Sequence, residues 1–165
     1  MNDRRSCNSK STTKTIPNTI VAELMGEVLA RGRPFRLMAK GSSMSPFIRD
    51  SDVITVAPIT KKIHLGEVIS FINPLTSRLM VHRVVRISRK GYLTQGDNSP
   101  RTDGLISRSD ILGRVVSIEH RGKHMRFGLG NERIIIALLT RWGRLVPLIT
   151  SCPTILRNII KRFIF

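Results

Sequence analysis

Between Phe35 and Phe127 the chain passes through a series of short apolar runs, each closed by Gly, Pro, Asn, Asp or Ser. The runs fall at 35–39, 52–58, 67–72, 79–88, 92–95, 111–119 and 123–127. They are rich in Val and Ile, whose branched side chains suit a pleated surface, and no long helical period interrupts them. Arg89-Lys90-Gly91 and Arg121-Gly122-Lys123 are basic turns between runs expected to pair. The pattern predicts a mainly β fold, compact and largely antiparallel, over residues 34–130.

The flanks differ. Ile20, Val21, Leu24, Met25, Val28 and Leu29 recur at helical spacing and predict a helix within 17–33, with Asn18 as its cap. Gly32 ends it and Pro34 prevents its resumption. Residues 1–16 are polar and rich in Ser and Thr; they lack the apolar run of a secretory signal and are expected to be a disordered tail.

From Asn131 to Phe165 apolar runs alternate with basic residues. The aliphatic residues contribute about −0.3 to −0.6 kcal/mol each toward insertion, while each central Arg costs about +2.5 to +3.5 kcal/mol. Arg141, Arg144, Pro147 and Pro153 therefore leave spanning unfavoured. An amphipathic helical tail over 131–165 lying on a membrane surface fits better, with helices packed on the β domain as the alternative.

Charge bears on the partners. Lys and Arg total 28 against 11 Asp and Glu, a net +17, which favours an anionic surface. Aromatics make up only 5% of the chain, and no basic stripe is interleaved with them, so nucleic acid is not the expected partner. An anionic membrane is. The two cysteines, Cys7 and Cys152, offer neither metal-ligand spacing nor a disulfide framework, so no metal or cofactor is expected.

Four positions suggest chemistry. Ser43 lies in Gly41-Ser42-Ser43-Met44-Ser45-Pro46, where a strand breaks into a turn and leaves a hydroxyl accessible. His82 interrupts an apolar strand and shares a face with Met80 and Val84, so it is expected to be covered and able to act as a base. His64, His120 and His124 occupy basic turns or strand ends and read as solvated. Asp97, in Gly96-Asp97-Asn98, and Asp103 fall close together, and either could orient an imidazole.

The order and wording of these pieces carry more than each alone. Gly-x-Ser-Met-x-Pro is followed by Asp-Val-Ile-Thr-Val, Gly-Glu-Val-Ile-Ser-Phe, Val-His-Arg-Val, Gly-Asp-Asn with a second Asp, and Ile-Leu-Gly-Arg-Val-Val. From about Arg36 to Ile118 the chain resembles the type I signal peptidase family. It is closest in pattern to the Ser–His branch of archaea, the endoplasmic reticulum and some Gram-positive bacteria, because His82 stands where most bacterial members have lysine.

The resemblance implies that family's β-fold and a serine endopeptidase acting on signal or leader peptides of precursor proteins, with small residues at −1 and −3 of the cut. Ser43 would be the nucleophile, His82 the base and Asp103 its acidic partner, supported by Asp97. The serine that often gives a second oxyanion donor is replaced by Gly41, and the family's Gly-Asp by Ser51-Asp52. The N-terminal transmembrane anchor common in the family is not expected, and docking at the cytoplasmic membrane, on a side left open, would fall to the basic tail. Two other readings compete: a self-cleaving repressor-type peptidase, and a non-catalytic cationic module that keeps the fold.

Overall fold

The computed structural model describes residues 17–143. The expected N-terminal tail and the part of the basic tail beyond Gly143 lie outside the described residues. These residues fold as an antiparallel sheet of eight strands flanked by two α-helices: α1 (Asn18–Ala30), β1 (Phe35–Met38), β2 (Val53–Ala57), β3 (Val68–Ile72), β4 (Leu79–Ser88), β5 (Gly91–Gln95), β6 (Thr102–Ile106), β7 (Ile111–His120), β8 (Lys123–Met125) and α2 (Arg133–Arg141). The spatial order is β1-β2-β7-β3-β4-β5-β6, with β8 hairpinned onto β7. The mainly β expectation holds, and both basic turns join paired strands.

Two strands explain most of the core. In β2, Ile54 and Val56 are buried and alternate with half-covered neighbours, the signature of a strand with one inward face. β3 lies between β7 and β4 and is buried on both faces. Its Val68 joins one core with Met25, Leu29, Met44, Ile48, Ile54, Val56, Val115 and Ile118. Its Ile69 and Phe71 join a second core, with Ile63, Val84, Ile106 and Ile111.

The helix α1 is rotated from its expected face. Ala22, Met25 and Leu29 are buried, whereas Ile20 and Leu24 are about half exposed. Asn18 does not cap it; Pro17 occupies that position and offers only its carbonyl, to Val21 N–H. The C-terminal end is as expected. Gly32 takes a left-handed φ of 73°, and its N–H and that of Arg33 return to Leu29 and Val28, which satisfies two otherwise open carbonyls.

The segment at 102–106, outside the expected apolar runs, is the edge strand β6, paired with β5. At the C-terminal side, α2 buries Ile136, Ala137 and Thr140, with Ile136 against Phe47 and Phe127. The start of the expected membrane tail is thus a helix docked on the domain, with Ile134, Ile135 and Leu138 facing outward. No helix among the described residues is long and apolar enough to cross a membrane.

Candidate active site

Ser43 sits in the turn after β1, and both ends of that turn are tied down. Ala39 and Ser51 exchange backbone hydrogen bonds with the 39–52 neck: Ala39 N–H donates to Asp52 C=O at 2.7 Å, and Ser51 N–H to Ala39 C=O at 2.9 Å. Gly41 N–H donates to Asp50 Oδ1 at 2.8 Å. Met44, Phe47 and Ile48 are buried and anchor the turn in the core, while Ser43 is exposed. Ser51 takes a φ of 68°, a left-handed conformation that glycine adopts more readily than serine.

A second loop holds Ser43 from the far side. Asn98 N–H donates to Ser43 C=O at 2.7 Å, and its side-chain amide to Ser42 C=O at 3.3 Å. Gly96 is required at this approach: a Cβ there would lie 2.7 Å from the Ser43 carbonyl oxygen and 3.1 Å from His82 Nε2.

His82 lies on β4, paired with Ile69 of β3, and is 4% exposed. Its Nε2 is 2.9 Å from Ser43 Oγ and its Nδ1 is 2.7 Å from Asp103 Oδ2. An ionised carboxylate only accepts, so Nδ1 carries the hydrogen and Nε2 presents a lone pair to the serine hydroxyl. The Phe71 ring stands edge-on to the imidazole, with centroids 6.3 Å apart. Asp103 receives a further bond from the buried Thr94, Oγ1 to Oδ2, at 2.9 Å. Three residues spread over sequence thus form one hydrogen-bonded line, and Thr94 was not anticipated.

Asp97 is not part of that line. Both of its oxygens are held by Arg83, Nε at 2.8 Å and Nη2 at 2.7 Å, and both side chains are fully buried. Nη1 of Arg83 donates to the carbonyls of Gly66 and Gly128, at 2.8 Å each, and its guanidinium lies 5.5 Å from the Phe47 ring centroid. Thr140 of α2 adds a hydrogen bond to Asp97 Oδ1 at 3.3 Å. Of the two acids that could have oriented the imidazole, Asp103 is the one that reaches it; Asp97, expected in a supporting role, bonds instead to Arg83 and Thr140, because a buried carboxylate beside a buried guanidinium satisfies that charge first.

The other histidines divide. His64 is exposed, as expected. His120 is not simply solvated, since its Nδ1 lies 2.5 Å from Oδ1 of the buried Asp52. His124 Nδ1 contacts Ser117 Oγ at 3.2 Å on the surface. Among the described residues no group of three or more His, Cys, Asp or Glu could hold a metal ion.

A cleft of about 540 Å³ opens beside Ser43 and His82. One wall is Leu37 to Gly41 and the other Arg78 to Val81, above a floor that includes Met44, Ile48 and Ile54. β1 pairs only with β2, and residues 79–82 of β4 pair only with β3, so each wall presents an unpaired strand edge among the described residues. Such edges can hydrogen-bond an added extended strand.

Compared with models of known protein families and with curated proteins, the chain gives no match.

Proposed function

We propose that this protein is a serine endopeptidase that cuts leader or signal peptides of precursor proteins at small-residue sites. The observation that carries the reading is the line Ser43 Oγ, His82 Nε2, His82 Nδ1, Asp103 Oδ2, with links of 2.9 and 2.7 Å. In the reaction Ser43 Oγ attacks the scissile carbonyl while His82 Nε2 takes its proton. His82 then gives that proton to the leaving amine, and an acyl ester remains on Ser43. Water, deprotonated by His82, attacks the ester; the acyl–Oγ bond breaks, His82 returns the proton to Ser43 Oγ, and the new carboxyl end leaves. Asp103 fixes the tautomer and stabilises the imidazolium formed at each step.

The oxyanion would draw on the backbone N–H of Ser43. Gly41 brings no hydroxyl to the second donor position, and its N–H is engaged by Asp50. An extended substrate laid along the two strand edges fits the cleft. A non-catalytic module would leave the buried His82–Asp103–Thr94 network without a task. Cleavage of a peptide with small residues at −1 and −3, present in the wild type and absent in Ser43→Ala, tests the reading.

Gly96→Ala is expected to fold and to lose about 10²-fold in kcat, because its Cβ must displace Ser43 or His82 and a shift near 1 Å is enough for such a loss. Activity within a factor of about 2 of wild type would mean that the 96–98 loop does not place the nucleophile.

Membrane docking is the second part of the proposal, supported by the net charge of +17 and by the outward Ile134, Ile135 and Leu138 of α2. The protein should sediment with vesicles containing anionic lipid and be released as salt is raised. The double variant Ile135→Glu/Leu138→Glu should weaken that binding about tenfold or more, since two apolar side chains no longer leave water. Undiminished sedimentation of the variant would remove α2 from the membrane contact.

A further inference from the structure

The catalytic line does not say what the cleft selects beyond small residues, but its charges do. Two cations line it: Lys40, which follows β1, and Arg78, which precedes β4. Both are exposed, and neither has an ion-pair partner among the described residues. Among the described residues no Asp or Glu lines the cleft. Asp50 and Asp103, although bonded to Gly41 and His82, are not among its walls. The floor is apolar and buried, with Met44, Ile48 and Ile54 each under 5% exposed, so a charged substrate group has its place at the rim.

Resting on the peptidase reading above, we infer that this cleft prefers peptides with an acidic side chain about four residues from the bond that is cut, recognised by Arg78 with Lys40. The spacing follows from strand geometry. Arg78 lies four residues before His82, about 13 Å along an extended chain at about 3.3 Å per residue, and a substrate strand beside it advances at the same rate. A basic side chain at that position meets the like charge of Arg78, with Lys40 on the opposite wall and no carboxylate among the described residues that line the cleft. The preference therefore runs against lysine as well as toward glutamate.

The test uses synthetic peptides with Ala at −1 and −3 and with Glu, Gln or Lys four residues before or after the cut. Two readouts are needed: kcat/KM for the wild type, and Kd for the same peptides, fluorescently labelled, on Ser43→Ala. At one of the two positions Glu should exceed Gln, and Gln exceed Lys, by about three- to fivefold per step in both readouts, and high salt should compress the series. Lys40→Glu/Arg78→Glu should invert the order. Equal values for Glu and Gln, or an order that survives the double reversal, overturns the inference. If no peptide is cut but the Kd order stands, the peptidase reading fails and the charge selection remains; if no peptide binds at all, both fall.

Discussion

Ser43→Ala and His82→Ala should each abolish cleavage of a small-residue leader peptide, with a fall in kcat of about 10⁴-fold or more, and Ser43→Ala should leave the unfolding transition unchanged. Ser43 is exposed, so its hydroxyl is removed without opening a cavity. His82 is buried, so its alanine variant is best paired with His82→Gln, which keeps most of the volume. Combining the two losses should cost little more than either alone, because nucleophile and base act as one unit. Asp103→Asn is the sharper probe. An amide at that position can donate to Nδ1 and so select the tautomer whose Nε2 carries the hydrogen, which leaves no lone pair for Ser43 Oγ–H. A loss of about 10³- to 10⁴-fold follows, with KM nearly unchanged. Wild-type rates in Asp103→Asn would show that the 2.7 Å contact with His82 has no part in turnover.

The second large effect concerns stability. Arg83→Met should destabilise the fold by about 3–5 kcal/mol, read as a lower urea midpoint at constant slope. The variant strands the Asp97 carboxylate with only Thr140 for company and strips the Gly66 and Gly128 carbonyls of their donor. Asp97→Leu alone should cost a similar amount by leaving the guanidinium unpaired. The double variant Arg83→Met/Asp97→Leu should recover much of the loss, since an apolar pair of like volume needs no counter-charge. A single-variant cost below about 1 kcal/mol would mean that this pair is hydrated and not a buried hub.

The strands were legible because their apolar residues recur at period two and their turns carry Gly and Asn. β6 was not: Thr102-Asp103-Gly104-Leu105-Ile106 has a central glycine at a φ of 86° and no alternation, so propensity reads loop where pairing with β5 makes strand. The roles of the two acids followed from that blind spot. As residue types in one apparent loop, Asp97 and Asp103 are equivalent; only the pairing of β5 with β6 carries Asp103 to the imidazole.

Arg83 was missed because a guanidinium is expected at the surface. Its place inside an apolar strand, Val81-His82-Arg83-Val84, was the available signal. The face of α1 turned because Ala22 is buried with Met25 and Leu29 while Ile20 and Leu24 remain outside, a choice set by close packing rather than by hydropathy.

The inward placement of acids has an effect at long range. Asp52, Glu67, Asp97 and Asp103 are withdrawn into the interior, but among the described residues only Arg83 of the cations is wholly enclosed with them. Over residues 17–143 solvent therefore meets a shell more lopsided than their composition states. Copies of the molecule repel one another at low ionic strength, while polyanions of any kind are drawn in from roughly a Debye length away, about 10 Å at 0.1 M salt.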